Sequence, residues 1–354
     1  MSKETFVEER LGKLERIRKN LSAVETRSNE AMTIGQDWYG KDYVPSDLAS
    51  QIINTVRNMG TFVSKLNAPI VMPTPTYTLP VEGGDPTWYA SSEQANVTAT
   101  EFTTSKPGTD DVVLTAKKYT ANVYASAELE EDSIVNIKQF MGDKFSVSYA
   151  ELLDKVWYNS DTETGATWNV NSDDGAPTAW TYYLHQNGII KHSLVTNSKS
   201  VNAGSLDLQD IRTARKTLGL KGVDPSKLIL CVGTDVYFKM LSLSQVETVE
   251  KFGWAATVVN GRIAAIDGIE VLPTSLIGNA EADGKKSTTA NNNTLGRAVL
   301  VYKPDLLHGF KRNLQLFTEY LPQYDQFRFT AHVRYAIKLL AADSACTIYN
   351  ITVA

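Results

Sequence analysis

The sequence predicts an α+β fold organised in two lobes. Its 354 residues are enough for two hydrophobic cores, because single domains usually settle near ~100–200 residues. A helical pattern keeps one apolar face through residues 134–156, and after it short strands alternate with helices. Three strand-like runs near the end of the chain predict a sheet. Together these patterns indicate helices and strands that pack around two cores.

The composition is that of an ordinary folded protein. Hydrophobic residues make up 42% and charged residues 21%, and the longest apolar runs fall far short of the ~20 residues that cross a bilayer. The N-terminus is highly charged and lacks the apolar segment of a secretory signal. We therefore expect no membrane partner and a location in the cytoplasm of the cell that makes the chain.

Cysteine usage and net charge narrow the class further. Cys231 and Cys346 each lie in an apolar, β-favouring run, which predicts buried, reduced thiols. The net charge of −5, from 35 basic and 40 acidic side chains, argues against a dedicated nucleic-acid-binding protein. A mildly acidic protein can still enclose a polyanion through its geometry and through local basic patches.

Residues Lys3 to Arg27 read as an amphipathic helix with a narrow apolar stripe and a basic face. The stripe consists of Val7, Leu11, Leu14, Ile17, Leu21 and Val24, and the basic face of Arg10, Lys13, Arg16, Arg18 and Lys19. One interpretation is a solvated helix that frays when it is alone. The other is an arm that binds a partner surface or lies inside a larger assembly.

A second helix opens at Pro45-Ser46, and Gly60 is well placed to cap its end. Four prolines then surround the predicted strand Thr76 to Leu79, and proline confines the chain to extended structure there. They are Pro69, Pro73, Pro75 and Pro80.

Residues 81–118 predict a long two-stranded hairpin between turn clusters rich in glycine, proline and aspartate. Its large apolar residues are few: Trp88, Tyr89, Val97 and Phe102. Because isolated hairpins are marginally stable, this one needs a neighbour to lie on.

A long helix follows a strand predicted at Val112 to Ser126. The acidic run Glu128 to Ser133 leads into it, with Asp132 or Ser133 as the expected cap. The predicted apolar face consists of Ile134, Ile137, Met141, Phe145, Tyr149, Leu152 and Val156. At a rise of ~1.5 Å per residue the helix spans on the order of 40 Å, so we expect it to act as the spine of a domain.

The second half of the chain predicts a compact α/β lobe. Its expected elements are helices Leu206 to Leu218 and Asp235 to Leu243, and strands Lys227 to Val232, Ile269 to Leu272 and Ala298 to Tyr302. Polar residues predict a loop-like insertion at 161–205 and an exposed, mobile loop from Glu281 to Leu295. The final runs, Leu314 to Tyr320, Gln326 to Leu340 and Ala345 to Val353, are expected to close a sheet.

An enzyme is the main rival class, and its signatures are missing from the sequence. The histidines His185, His192, His308 and His332 lack metal-ligand spacing, and no phosphate-binding glycine loop or nucleophile elbow occurs. The acidic pair Asp161 and Glu163 and the run at 128–132 could serve as acid/base or cation groups, but a helix N-terminus explains the run without chemistry. We expect no catalytic residue, no metal and no cofactor.

Four local motifs occur along the chain in an order that can be compared with known protein families. They are Thr76-Tyr77-Thr78-Leu79-Pro80, the run Tyr124 to Ser133, Gly268-Ile269-Glu270-Val271-Leu272-Pro273-Thr274, and Arg328-Phe329-Thr330-Ala331-His332-Val333-Arg334-Tyr335-Ala336-Ile337. With the elements above, this order resembles the tailed-bacteriophage major capsid protein family with the Hong Kong 97-type fold, over nearly the whole chain.

The resemblance implies a set of domain boundaries. They are an N-terminal arm at 1–44, the first part of a peripheral domain at 45–80, an extended loop at 81–118, the peripheral domain with its spine helix at 119–189, an axial domain at 190–303, long peripheral strands at 304–340, and an axial C-terminal strand at 341–354. It also implies inter-subunit contacts by the extended loop, for which the candidates are Glu82, Asp85, Trp88, Phe102 and Lys106.

The implied function is that of a major capsid protein, which assembles with itself as hexamers and pentamers into an icosahedral shell around double-stranded DNA. The implied partners are packaged DNA, bound without sequence preference, a portal and a decoration protein. The short stretch before Pro45 suggests a separate scaffolding protein. The implied location is the virion, after assembly in the host cytoplasm.

Two other functions remain open at this point. An encapsulin shell protein has the same subunit fold and would enclose enzyme cargo, although the long arm and the wide insertion favour a phage. A non-catalytic binding module of strands and loops belongs to a different class, which the missing secretory signal opposes.

Overall fold

A computed structural model describes residues 61–90, 105–133, 137–165, 169–243, 263 and 265–353. Several predicted features lie outside these residues: the arm with Arg10, Lys13, Arg16, Arg18 and Lys19, the helix that opens at Pro45, and the side chains of Phe102 and Ile134.

Twelve strands and four α-helices make up the described part of the chain. The strands are β1 (Ile70–Val71), β2 (Thr76–Gly84), β3 (Gly108–Thr115), β4 (Lys117–Ser126), β5 (Ser200–Asn202), β6 (Leu228–Gly233), β7 (Ala265–Ile266), β8 (Ile269–Thr274), β9 (Leu295–Tyr302), β10 (Leu306–Leu321), β11 (Gln326–Leu339) and β12 (Ala345–Thr352). The helices are α1 (Ala127–Asp132), α2 (Ile137–Asn159), α3 (Leu208–Thr217) and α4 (Thr234–Leu241). The predicted α+β class is confirmed.

The strands form three sheets. One has the order β1-β10-β11-β4, a second has the order β5-β12-β9-β6-β8-β7, and β2 pairs with β3 alone. In the six-stranded sheet β6 runs parallel to β8 and antiparallel to β9. All six residues of β6 are buried, which explains why its sequence, Leu-Ile-Leu-Cys-Val-Gly, is apolar without alternation.

The chain divides into two compact units. Among the described residues, the first holds 121–133, 137–143 and 316–331, and the second holds 61–90, 105–120, 144–165, 169–243, 263, 265–315 and 332–353. The boundaries expected for peripheral and axial domains stay a prediction.

In the second unit the end of α2 is enclosed on several sides. Leu153, Val156, Trp157 and Tyr158 are buried, and so is the carboxylate of Asp154, which accepts hydrogen bonds from the backbone N–H groups of Phe62 and Val63. Tyr149 and Leu152, from the predicted face, are half-buried against the same core. The buried surface of the last turns of α2 is therefore wider than the single apolar face that the sequence predicted, because other elements pack around these turns.

The first unit contains the acidic run that was predicted to precede the long helix. Residues 127–132 of this run form a separate helix, α1, and the residues that would show the cap of α2, 134–136, lie outside the described residues. Ser126 is the N-cap of α1, with the hydroxyl accepting from the backbone N–H of Leu129 at 3.3 Å, and Glu128 and Glu130 lie in the first turn. Negative charge near a helix N-terminus is favourable, so Glu128 and Glu130 stabilise α1. Ile137 and Met141, at the start of α2, are buried.

The strand predicted at Val112 to Ser126 is two strands in different sheets. Leu114, in the first of them, is fully buried. The pairing of β3 with β2 ends at Ala116, whose backbone N–H donates to the carbonyl oxygen of Pro75 at 2.8 Å. Strand propensity is continuous across Ala116, so the sequence does not reveal the change of partner. The final three strands are likewise divided, since β10 and β11 belong to the four-stranded sheet and β12 to the six-stranded one.

The insertion predicted at 161–205 as loop-like with a few short strands contains the strand β5 and contributes several residues to the core. Val170, Ile189, Ile190 and Ser193 are fully buried, and residues 191–196 form a π-helical turn. The buried Asp161 accepts from the backbone N–H of Val170 at 2.8 Å and pairs with the Lys191 ammonium at 3.1 Å. The polar residues here satisfy buried backbone groups, which composition alone does not distinguish from solvent exposure.

The segment predicted as a mobile loop at 281–295 is tied down by hydrogen bonds. The Asp174 carboxylate accepts from the backbone N–H of Thr288 at 2.6 Å and from the Ser287 hydroxyl, and these bonds lower its pKa. The buried Arg297 donates from Nη1 to the carbonyl oxygen of Gly284 at 2.9 Å and from Nε to that of Gly278 at 3.1 Å. The segment has few apolar residues to anchor it, and hydrogen bonds from polar groups fix its position instead.

The two cysteines are free and buried, as predicted. Burial raises the pKa of each thiol to about 12, so both stay protonated and unreactive at neutral pH.

Candidate assembly surfaces

The hairpin of β2 and β3 is fixed at its base, and its outer described residues, 82–90 and 106–109, which we call the tip, are exposed. The strands pair from Thr76 opposite Thr115 to Gly84 opposite Gly108. Near the base, Leu114 and Met72 are buried with Ala336, and Tyr77 packs against them. Beyond the base, every residue from Glu82 to Ala90 is exposed. The structure thus gives the hairpin a core at one end only.

Two features keep the hairpin extended beyond its base. The Ser105 hydroxyl accepts from the backbone N–H of Thr87 at 2.9 Å, which joins the two sides close to the tip. At the register shift between Glu82 and Gly84, a side chain on Gly83 would meet the backbone of Thr109 at 3.1 Å. Glycine at this position therefore permits the close approach of the two strands.

The tip combines aromatic side chains with negative charge. Trp88 is 97% exposed and Tyr89 is 51% exposed. Glu82, Asp85 and Lys106, three of the five predicted contact residues, are exposed as well. Asp110 and Asp111 lie opposite Val81 and Pro80 and are also exposed, so the hairpin has an acidic edge. A solvent-exposed aromatic pair on a projecting element is typical of a binding surface.

The first unit carries a second exposed apolar surface, which the sequence reasoning missed. Residues 316–320 of β10 are exposed on both faces of the strand, and Leu316, Tyr320 and Tyr324 have large exposed fractions of 42%, 46% and 66%. The available signal was the aromatic density between Leu316 and Phe329. The sequence predicted only that these runs form strands that close a sheet, and a strand pattern by itself does not show which side chains stay exposed.

The second unit exposes further apolar side chains that were not predicted. Leu220 and Val223 flank Lys221 after α3, Phe238 projects from α4, and Trp180 is exposed with a backbone φ of 65°. A positive φ is costly for a bulky residue, so the surrounding turn holds Trp180 outward against its own preference.

Candidate chemical groups in the described residues are engaged in structural contacts. Asp173, Glu281 and Asp283 bring their carboxylate oxygens within 4.8 Å of one another, but the Lys285 ammonium contacts Asp173 at 2.6 Å and Asp283 at 3.2 Å. His308 lies between the rings of Trp157 and Tyr335, and His192 Nε2 contacts the carbonyl oxygen of Ala341 at 2.9 Å. Lys285 offsets part of the charge of these three acids, and both His308 and His192 are held in structural contacts.

Known proteins resemble this chain in sequence. The phage capsid family matches residues 40–167, which include the hairpin, α1 and α2. This chain is similar to the phage capsid family over that range. A curated relative, the major capsid protein of Escherichia phage T5, is 22% identical over 228 residues, which are 64% of this chain and 44% of that protein. The chain thus matches less than half the length of that relative.

Solved structures place the phage capsid fold over almost the whole chain. A capsid chain of a native GTA particle superposes with a TM-score of 0.62 at 13% identity, and it covers 90% of this chain and 99% of its own. Chains from Microbacterium phage Oxtober96 and Mycobacterium phage Bobi each give a TM-score of 0.60, at 14% and 13% identity, over 89% and 90% of this chain and 99% and 98% of theirs. The predicted Hong Kong 97-type fold is confirmed.

Among the helices of the described residues, none combines the length and the apolar character that a membrane crossing requires.

Proposed function

We propose that the chain is the major capsid protein of a tailed phage, and that copies of it assemble as hexamers and pentamers into an icosahedral shell around double-stranded DNA. The observation that carries this proposal is the β2–β3 hairpin, which has a buried base and an exposed, acidic, aromatic tip. The similarity of residues 40–167 to the phage capsid family supports a structural role and not an enzymatic one.

The hairpin favours assembly for an energetic reason. Burial of a large apolar side chain contributes on the order of 2 kcal/mol, and Trp88 and Tyr89 forgo most of this in the free subunit. Tryptophan and tyrosine are also the residues that dominate contacts between proteins. A tip that binds a different surface on the next copy makes a heterologous contact, and such contacts close into rings and shells.

The proposal assigns Glu82, Asp85, Trp88, Phe102 and Lys106 to the contact between neighbouring subunits. Residues 137–159, with Ile137, Met141, Tyr149 and Leu152 on the packed face, form the spine of the peripheral domain. The six-stranded sheet with β12 belongs to the axial domain in this scheme.

The net charge of −5 restricts how such a shell would hold DNA. A negatively charged subunit does not attract DNA through its overall charge. Contact with the genome would therefore depend on local basic groups, such as those of the arm. We further propose a separate scaffolding protein, a portal and a decoration protein as partners, and assembly in the host cytoplasm into a virion.

The test is to replace Trp88 and Tyr89 by alanine together and to examine particles by electron microscopy. Shells should be lost while the melting of the free subunit is unchanged, because both side chains are exposed. The matched control is Trp180→Ala, which removes the exposed tryptophan of another surface. Normal shells from the double variant would contradict the role of the tip.

Deletion of residues 82–109 is a stronger form of the same test. The buried residues Met72 and Leu114 lie outside the deletion, so the subunit should remain folded and monomeric. The particles formed by the unaltered chain discriminate between functions: DNA-filled shells support a phage capsid, shells filled with protein cargo support an encapsulin, and the absence of shells under all assembly conditions supports a binding module.

A further inference from the structure

The exposed apolar surface of the first unit has an acidic border. We define this surface by Leu316, Tyr320 and Tyr324 at the end of the β10–β11 hairpin, and we name it the β10 tip surface. The backbone N–H of Ala127 donates to the carbonyl oxygen of Asp325 at 3.0 Å, which holds the start of α1 against the turn of that hairpin. The acids of α1 therefore lie next to the exposed aromatic side chains.

The raised pKa of Tyr320 agrees with the position of the α1 acids beside it. The Tyr320 hydroxyl donates to Asp325 Oδ1 at 2.7 Å. That bond, partial desolvation and the charges of Asp325 and Glu131 together raise the pKa of Tyr320. Glu131 on α1 is thus close enough to Tyr320 to act on it through its charge.

The acidic border is only partly neutralised by its own unit. The described part of the first unit contains seven acidic and two basic residues. Both bases are engaged: Lys138 pairs with Glu130 at 2.5 Å and lies over the Phe327 ring, and Arg328 pairs with Glu319. Within the described ranges, Glu128 and Glu131 make no ion pair, and both are exposed. The surface is apolar in its middle and negative at its edge.

The chain itself contains a segment of complementary character. In a helix of 3.6 residues per turn, Val7, Leu11, Leu14, Ile17 and Leu21 form one stripe. On a projection of this predicted helix, Arg10 and Arg18 fall within the stripe and Lys13 falls at its border beside Ile17, whereas Arg16 and Lys19 fall on the opposite side. The pattern predicts an apolar face interspersed with cations, which is complementary to aromatic side chains beside acids.

We propose that the β10 tip surface is the docking site of the helix predicted at residues 3–27, from the same or a neighbouring copy of the chain. Leu316, Tyr320 and Tyr324 receive the apolar stripe, and Glu128 and Glu131 pair with Lys13 and Arg18. This deepens the proposed function by giving the arm a partner surface, and it rests on that function only for its role in a shell. The contact needs no other protein and no DNA.

Photo-cross-linking in the full-length chain tests the contact directly. A photoreactive phenylalanine analogue replaces Tyr324, and mass spectrometry maps the cross-linked peptides. We expect cross-links to peptides between Lys3 and Arg27. The same analogue at Phe238, an exposed aromatic residue of α4 in the other unit, should give none with those peptides. Cross-links from position 324 to the β2–β3 hairpin, to any other segment, or to nothing at all would overturn the proposal.

Charge reversal gives a matched set of variants. Lys13→Glu with Arg18→Glu should lower the cross-link yield about tenfold, because two border pairs become repulsive. Arg16→Glu with Lys19→Glu makes the same change in net charge on the far side and should leave the yield unchanged. Glu128→Lys with Glu131→Lys should also lower the yield, and its combination with Lys13→Glu and Arg18→Glu should restore it. Equal losses in both arm variants, or no restoration, would exclude specific docking.

Electron microscopy of the same samples separates this proposal from the proposed function. Shells without the cross-link would refute the docking and leave the capsid function intact. The cross-link without shells, under all assembly conditions, would refute the capsid function and leave the docking intact.

Discussion

The indole Nε1 of Trp157 donates a hydrogen bond of 2.9 Å to the hydroxyl oxygen of Tyr335. Trp157 belongs to α2 and Tyr335 to β11, and both side chains are fully buried in the core of the second unit. This bond joins residues 178 positions apart in the sequence, and it fixes the enclosed end of the helix on the strand.

Trp157→Phe should lower the free energy of unfolding by about 1–3 kcal/mol through the lost bond, with a further loss from the smaller ring. Tyr335→Phe leaves the indole N–H without an acceptor and should cost a similar amount. The double variant should cost less than the sum, because neither polar atom is then stranded. Chemical denaturation measures all three values. Strictly additive losses would mean that the bond contributes nothing of its own.

Stability should fall as the pH drops below about 6.5 because of His308. Burial among Trp157, Phe310 and Tyr335 lowers the pKa of His308 from 6.5, so the folded state resists a proton that the unfolded state accepts. The stabilising effect is complete above 6.5 and is lost progressively down to the folded-state pKa. His308→Phe should flatten the stability profile in denaturant titrations on either side of pH 6.5. A residual slope should remain from His192, whose pKa burial also lowers. An unchanged slope in the variant would place the effect elsewhere.

Arg297→Lys should loosen the segment at 281–288. The guanidinium binds the carbonyl oxygens of Gly278 and Gly284 at once, and a single ammonium cannot reproduce that fork. We expect a loss of about 1–3 kcal/mol and faster amide hydrogen exchange in this segment. Arg212→Lys is the control, because Arg212 is exposed and its only described ion pair, with Asp267, is long at 3.6 Å. Equal exchange in both variants would contradict the role of Arg297.

Leu152→Pro should prevent folding. Residue 152 lies inside α2, where proline removes a helix hydrogen bond and costs ~3 kcal/mol or more, in addition to disturbed packing against the core. Leu152→Ala keeps the backbone bond and should remain soluble with a reduced melting temperature. Soluble expression and thermal melting of both variants test this prediction. A cooperative, near-normal melt of the proline variant would contradict it.

The elements that the sequence predicted well are those whose own residues determine them. The apolar face of α2 and the continuous apolar run of β6 follow from local periodicity, and the buried thiols follow from the runs that contain Cys231 and Cys346. The exposed tip at Trp88 followed from the scarcity of apolar residues around it. Each of these inferences needed only neighbouring residues.

The features that were missed depend on distant partners. The order at 281–295 depends on Asp174 and Arg297, and the change of sheet at Ala116 depends on Pro75. The β10 tip surface was missed for a related reason. Alternating aromatic residues predict a strand with one buried face, and only the tertiary structure reveals that Tyr320 and Tyr324 remain 46% and 66% exposed. Hydrophobicity predicts burial, but it does not identify the molecule that provides it.

The place of β12 in its sheet constrains how the protein is made. It is the last of the six strands in chain order, yet it lies between β5 and β9, and among the described strands it alone pairs with β5. At ~5–20 residues per second, a ribosome needs on the order of ten to thirty seconds between β5 and β12. During that time β5 has no partner and the buried side chains of β9 are uncovered on one edge. The six-stranded sheet is therefore completed only late in translation, and truncated nascent chains expose unpaired strand edges, which are prone to aggregation.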